Sequence, residues 1–186
     1  MRVVAGMFGG RRLQAPPGMG TRPTPDRVRE ALFSSLGPLD GVAVADPFAG
    51  SGALGIEALS RGAASCVFGE RDRDALRVLR ANLATLGLGP PDALVEPRGW
   101  RRALETAAPA GLVLLDPPFD DLPDVLPRLA AALSGVVAPG GRLVVESPSR
   151  GPEPDVSPLR VARRRDRTYG SVRITIVELD PEPSSS

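Results

Sequence analysis

The chain has 186 residues, 42% hydrophobic and 24% charged, which fits one soluble globular domain with room for a core but little for a second. Its net charge is +1, all 23 basic residues are Arg, and there is no His. Ser-His-Asp and Cys-His catalysis, the usual zinc and iron ligand sets, Schiff bases and a Walker lysine are thereby excluded, so any general base is a carboxylate or none is used, and no metal is expected.

In chain order, Arg2–Gly6 and Arg11–Ala15 are short runs parted by a turn with Gly9-Gly10, which predicts a β-hairpin ending at Pro16-Pro17-Gly18. Thr24 suits an N-cap, Pro25 a first helical position and Asp26 the positive end of the helix dipole. Val28, Leu32, Phe33 and Leu36 lie at helical spacing, and Gly37-Pro38 stops the helix. From Val42 the pattern alternates strand and helix. Strands are predicted at Val42–Ala45, Cys66–Gly69, Ala93–Val95, Leu112–Leu115 and Arg142–Val145. The intervening helices are Ala53–Ser60, Asp74–Leu86, a short one near Arg101–Ala107, and Leu122–Leu133. Such alternation implies right-handed crossovers and a parallel sheet. Leu159–Arg164 and Val172–Leu179, parted by Asp166–Gly170, predict an antiparallel hairpin finishing that sheet.

The fold class is therefore Rossmann-like α/β, with a seven-stranded, mostly parallel sheet, an antiparallel carboxyl-terminal hairpin and an amino-terminal hairpin-and-helix extension. The expected units are the extension at 1–38, the main domain at 39–180 and a disordered tail at 181–186. Lone Cys66, inside an apolar run, reads as a core residue. No apolar stretch approaches the roughly 20 residues of a membrane span, and the start at Met1–Ala5 is too short for a signal peptide, so a cytoplasmic protein is expected.

Two loops carry the chemistry. Asp46-Pro47-Phe48-Ala49-Gly50-Ser51-Gly52 and Asp116-Pro117-Pro118-Phe119 each follow a buried-strand pattern, which brings both to the carboxyl edge of one sheet, where open α/β folds keep ligands. Gly50, Gly52 and Gly55 satisfy Gly-x-Gly-x-x-Gly, so a dinucleotide is one reading. The acid decides against it: Asp46 would repel a pyrophosphate, yet it suits a cofactor with an amino group there, such as S-adenosylmethionine. Glu70, ending the second strand, suits ribose hydroxyls in either case.

The exocyclic amine of a flat base is a poor nucleophile because its lone pair is delocalised into the ring. Hydrogen bonds to the Asp116 carboxylate and the Pro117 carbonyl would orient that lone pair, while Phe119 stacks on the ring and the prolines stiffen the loop. Together the loops imply methyl transfer to a nucleobase nitrogen. The charge supports a nucleic acid: residues 1–30 hold six Arg against Asp26 and Glu30, a net of +4, and residues 159–173 hold six Arg against Asp166, a net of +5.

The segments Arg2–Gly6, Gly10–Leu13, Thr21–Thr24, Asp26–Phe33, Phe48–Gly62, Asp116–Phe119 and Tyr169-Gly170 together resemble the RsmD family nearly end to end. That resemblance implies a class I S-adenosylmethionine-dependent methyltransferase acting on N2 of one guanine in 16S ribosomal RNA, either free or in an assembling small subunit, as a monomer. It implies that Asp46, Phe48, Gly50, Gly52 and Glu70 line the cofactor site, with Ser51 and Arg71 beside them, and that Asp116, Pro117, Pro118 and Phe119 hold the guanine. It also sets the amino-terminal hairpin and the Thr21–Thr24 segment against RNA and the methionine end of the cofactor; with the charge pattern, Arg2, Arg11, Arg12, Thr21, Arg22 and Arg27 on one side and Arg163, Arg164 and Tyr169 on the other are expected to face RNA.

The chain departs from the family at Pro47, where a larger apolar residue is usual. It also reads Glu96-Pro97-Arg98-Gly99-Trp100 where a short polar residue is expected near the adenine, so the backbone at Arg98 and Gly99 is expected to supply that contact. Trp100 is read as packing and Asn82 as a structural residue on an outer helix. Two other classes remain open, a DNA adenine-N6 methyltransferase and a non-catalytic RNA-binding module on the same fold. The small size and Arg-rich extension speak against the first. The intact acids Asp46, Glu70 and Asp116 speak against the second.

Overall fold

The computed structural model describes residues 1–16, 25–118, 128–129, 132–133 and 135–181, so the tail from 182 onward lies outside the described residues. Its strands are β1 (Ala43–Asp46), β2 (Ser65–Gly69), β3 (Ala93–Glu96), β4 (Ala110–Leu115), β5 (Val137–Pro148), β6 (Val161–Tyr169) and β7 (Val172–Leu179). They form one sheet in the order β3-β2-β1-β4-β5-β7-β6. β1 to β5 pair in parallel, and β7 runs antiparallel between β5 and β6. The order reverses between β1 and β4, which opens a crevice at their carboxyl ends.

The helices are α1 (Asp26–Leu36), α2 (Ala53–Ser60), α3 (Arg73–Thr85) and α4 (Trp100–Ala107). Val44, Leu112, Leu114, Val144, Ile174 and Ile176 pack with α1, α2 and α3 on one face. The alternate residues Ala45, Val113, Leu115, Leu143, Val145 and Val177 pack with Leu104 of α4 and with Leu129 and Leu133 on the other. Covered on both faces, the inner strands must read as continuous apolar runs, which is how Leu112–Leu115 is written. Of the helix expected at Leu122–Leu133, Arg128, Leu129, Ala132 and Leu133 are described, and all four are helical. Cys66 is fully buried and burial pushes its thiol up, as a core residue requires. No described helix is long and apolar enough to cross a membrane.

α1 buries Val28, Leu32, Phe33 and Leu36, the stripe its spacing predicts. Each such side chain contributes about 1.5–3 kcal/mol. The helix starts later than predicted: Pro25 is the N-cap and its carbonyl accepts from Val28 and Arg29, while Thr24 lies outside the described residues. At the other end the Leu36 carbonyl accepts from Arg142 of β5. The carboxyl end of α1 is thus tied to Arg142 of β5.

The amino-terminal hairpin is shorter than predicted: its antiparallel pairing is confined to the Arg2–Arg12 bridge, with backbone bonds Val3 N to Arg11 O and Gly10 N to Val3 O (both 2.9 Å) and Leu13 N to Met1 O (3.0 Å). The segment between them bends away because α2 offers better partners. Val4 and Ala5 donate to the Glu57 carboxylate (2.7 and 3.1 Å), and Phe8 N donates to Ser60 Oγ (2.9 Å). Glu57 is fully buried and also accepts from Arg61 (2.7 Å). Stripping such a carboxylate of its partners costs about 3–5 kcal/mol.

The carboxyl-terminal hairpin is tighter than predicted. β6 runs on through Asp166–Thr168 to Tyr169, and Gly170-Ser171 makes the turn, with Gly170 at φ 62°. Asp166 belongs to the strand because its carboxylate accepts from Thr175 Oγ1 (2.6 Å) on β7.

Candidate active site

Asp46 ends β1 and Asp116 follows the last residue of β4, and these strands are neighbours in register, Val44 with Leu112 and Ala45 with Val113. Both loops therefore leave the same edge. Val44, Leu114 and Val144 face the α1–α3 side, and alternation turns Asp46, Asp116 and Glu146 to that side as well.

Asp46 is only 1% exposed. One carboxylate oxygen accepts from Gly55 N (3.0 Å), and the other has no partner among the described residues. Burial, with a smaller contribution from Glu70, outweighs the Gly55 bond and raises its pKa to about 7. An unmet buried acceptor is costly, so the site rewards a ligand that brings a donor.

The glycines shape the floor. Gly50 has φ 54°, and a Cβ there would meet nothing within 4 Å, so the loop presents bare backbone to open space. Gly52 has φ 85° at the start of α2, and its missing Cβ would lie 2.5 Å from Leu79 Cδ1. Ser51 is turned inward: its Oγ donates to Met1 Sδ (3.6 Å) and its carbonyl accepts from Asn82 (2.9 Å). Ser51 therefore offers a ligand little beyond its place in the loop.

Glu70 is more occupied than a free ribose-binding acid. Its Oε2 accepts from Gly50 N (3.0 Å) and its Oε1 from the backbone of Arg71 and Asp72 (2.7 and 2.8 Å). It thus ties the cofactor loop to β2, and Oε2 keeps capacity for a further donor. Phe48 stacks on Trp100 with centroids 6.3 Å apart, and the Arg101 guanidinium lies 4.6 Å from the Trp100 centroid, so Trp100 makes packing contacts with both.

The Glu96–Gly99 turn bears on the expected adenine contact. Arg98 folds back on buried Glu96, donating from its backbone N (3.1 Å), Nε (2.8 Å) and a terminal nitrogen (3.0 Å), and these bonds hold the Glu96 carboxyl below the usual range. The Arg98 amide is consequently spent on Glu96 and is not free for an adenine. Gly99 stays adjacent to exposed Arg71, whose Cβ would be 4.0 Å from a side chain at 99.

At Asp116, burial together with Glu146 and Asp46 holds the carboxyl well above the ordinary carboxylate range. Pro117 is buried and Pro118 exposed, whereas Phe119 lies outside the described residues.

The family model described as "Conserved hypothetical protein 95" matches residues 1–178. The chain belongs to this family. These are the RsmD relatives. A Bacillus subtilis protein named "Putative rRNA methyltransferase YlbH" is 45% identical over 126 residues, 65% of this chain and 68% of that protein. The Escherichia coli "Ribosomal RNA small subunit methyltransferase D" is 43% identical over 120 residues, 64% of this chain and 60% of its own length. A solved structure described as "Putative methyltransferase yhhF from Escherichia coli" covers 98% of this chain and 99% of its own, at 34% identity and a TM-score of 0.83.

Among the RsmD-type basic residues, the two segments differ. In the amino-terminal arm, residues 1–16, Arg11 and Arg12 are exposed without partners among the described residues, as is Arg27 on α1; Arg2 pairs with Asp26 (3.2 Å), and Thr21 and Arg22 lie outside the described residues. Met1, Arg2, Arg12 and Asp26 rim an open groove of about 600 Å³. On β6, Arg164 is held by Asp166 (2.8 Å) and Glu153 (2.9 Å), and Arg165 by Glu178 (2.5 Å). Arg163 lies level with Glu178 and Arg142, whereas Arg167 lies level with Ile174 and Glu146. At about 3.3 Å per residue, Arg163 sits roughly 13 Å below the level of Glu146, away from the active edge. The register brings Arg167 and Tyr169 to that edge, and not Arg163 or Arg164.

Three buried polar residues were missed or underread: Glu57, Asn82 and Glu146, all at most 5% exposed. Two had a signal, a lone carboxylate in the otherwise apolar Ala53–Ser60 and an Asn within the apolar stripe Leu79, Asn82, Leu83. Asn82, expected as a structural residue on an outer helix, turns its side chain inward and bonds backbone on two other segments.

Proposed function

We propose that this chain is an S-adenosylmethionine-dependent methyltransferase acting on N2 of a guanine in 16S ribosomal RNA, free or in an assembling small subunit, in the cytoplasm. The observation that carries this reading is the placement of Asp46, with its unmet oxygen, and of Asp116-Pro117 on adjacent strands at the switch point of the sheet. The name of the Escherichia coli relative supplies the substrate class.

The residues fit the cofactor. The free oxygen of Asp46 suits its amino group, Glu70 Oε2 a ribose hydroxyl, and the bare backbone at Gly50 a close approach. When bound, S-adenosylmethionine supplies an electrophilic methyl group. On the other side of the crevice, Asp116 and the Pro117 carbonyl accept the two amine hydrogens, which turns the nitrogen lone pair toward the cofactor loop. Because burial and two acids raise its pKa, the Asp116 carboxylate is a better proton acceptor than an ordinary one and suits the proton the nitrogen must lose. Segment 1–38 serves as the RNA-contacting extension and 39–180 as the catalytic domain.

The test is labelling of small ribosomal subunits with methyl-labelled S-adenosylmethionine and this protein, followed by nucleoside analysis. Label in N2-methylguanosine of 16S RNA is expected. Label in adenine, or none, would sink the assignment.

A further inference from the structure

Asn82 sits on α3, 2% exposed, between two segments distant in sequence. Its Oδ1 accepts from Gln14 N (2.8 Å), while its Nδ2 donates to Gln14 O (3.1 Å) and to Ser51 O (2.9 Å). The amide orientation is unambiguous, since a flipped side chain would face an N–H with NH₂ and two carbonyls with oxygen. One buried amide therefore grips the arm at both backbone polar atoms of Gln14 and the cofactor loop at Ser51. The Ser51 Oγ bond to Met1 Sδ (3.6 Å) adds a second tie between the same segments.

The remaining anchors of the arm go elsewhere. Glu57 and Ser60 hold Val4, Ala5 and Phe8 to α2, which is scaffold and not crevice. Of these side-chain anchors only Asn82 bonds both the arm and the Gly50–Gly52 loop, whose first residue is held by Glu70. Fixing the loop fixes Gln14, and fixing the arm fixes the loop.

We propose that Asn82 is a positioning residue that couples cofactor occupancy to RNA binding: ligand that orders the cofactor loop presents the arm in its RNA-binding position, and bound RNA tightens cofactor binding by the same factor. This rests on the methyltransferase reading above. Reciprocity is thermodynamically required once the coupling exists, and such couplings are typically about 5–150-fold.

The test measures S-adenosylhomocysteine affinity by calorimetry with and without saturating small ribosomal subunits, in the natural chain, Asn82→Ala and Asn82→Asp. Asp is nearly isosteric and keeps the acceptor for Gln14 N but sets an oxygen against the Gln14 and Ser51 carbonyls, whereas Ala removes the tie without introducing that repulsion, so Ala guards against a variant that fails to fold. The natural chain should bind S-adenosylhomocysteine at least about 5-fold more tightly when subunits are present. Both variants should lose most of that enhancement while their affinity for S-adenosylhomocysteine alone changes less than about 3-fold. A purely structural Asn82 would lower the melting temperature and leave the enhancement intact, and that result overturns the proposal. No enhancement in the natural chain overturns it too. Failure of the natural chain to bind S-adenosylhomocysteine at all would instead overturn the methyltransferase reading.

Discussion

The carboxyl edge of the sheet and its arginine-rich flanks differ in how tightly residue type determines environment. At the edge, Asp46, Glu70 and Asp116 stand at strand ends because apolar runs drive the strands into register, so their place follows from the pattern of the whole chain. On the flanks, Arg11 and Arg12 have no partner among the described residues while Arg164 and Arg165 are neutralised by Asp166, Glu153 and Glu178, although the two stretches look alike in composition. Position in a buried lattice is a collective property. Pairing on a surface depends on which single carboxylate stands opposite.

The largest effect tests the edge. Asp116→Ala should leave S-adenosylmethionine affinity nearly unchanged and lower kcat by about 100-fold or more, as expected on removing a preorganised acceptor. In the natural chain the rate should rise with pH through the raised Asp116 pKa, because only the ionised form accepts from the amine. A rate independent of pH across that range would remove Asp116 from the proton path.

Glu70→Ala should weaken cofactor binding by at least about tenfold, losing charge-assisted bonds worth roughly 1.5–3 kcal/mol each. Because Glu70 also holds Gly50, Arg71 and Asp72, this variant should in addition speed hydrogen exchange at the Gly50 amide. Unchanged exchange there would mean that Glu70 serves the ligand alone.

Asp46 gives a smaller effect with a definite sign. Its folded pKa of about 7 lies above its unfolded value, so the folded state holds the extra proton between about pH 4 and 7. Its contribution to stability is complete below that window and is lost as pH rises through it, by at most roughly 1.4 kcal/mol per pH unit. A ligand amino group favours the ionised form, so cofactor affinity should instead climb with pH up to about 7. Asp46→Asn should flatten both trends. Denaturant melts and calorimetry between pH 5 and about 8 would show whether it does.

Much of this was legible in the sequence. The alternation of runs from Val42 onward fixes the parallel sheet, and the acid-then-glycine and Asp-Pro-Pro-Phe loops fall where that sheet puts them. Three things were not legible, each for a physical reason. The amino-terminal hairpin reduces to one bridge because Glu57 and Ser60 compete for its amides, a long-range contact invisible to local pattern. Arg98 turns back onto Glu96 because a carboxylate two residues away captures it before a ligand can. The hairpin turn lies at Gly170-Ser171 rather than across Asp166–Gly170 because Thr175 supplies Asp166 with a cross-strand partner, which keeps a turn-forming residue inside a strand.

The smallest effect separates the two flanks directly. Free surface cations release counterions when they meet phosphate, whereas an Arg already paired with a carboxylate gains little by exchanging one anion for another. Removing a single Arg–phosphate pair should shallow the salt dependence of RNA binding by roughly 0.7–0.9 log units per log salt. Arg11→Ala with Arg12→Ala should therefore shallow the slope by about twice that amount while leaving cofactor affinity intact. Arg163→Ala with Arg164→Ala should barely move it, since Arg164 is held by two acids and Arg163 lies toward the opposite end of β6. Arg167→Ala, at the level of Glu146, should shift it by the amount expected for one such pair. Equal slopes for the two double variants would show that ion pairing on β6 does not discriminate among these arginines, and the contrast between edge and flank would lose its basis.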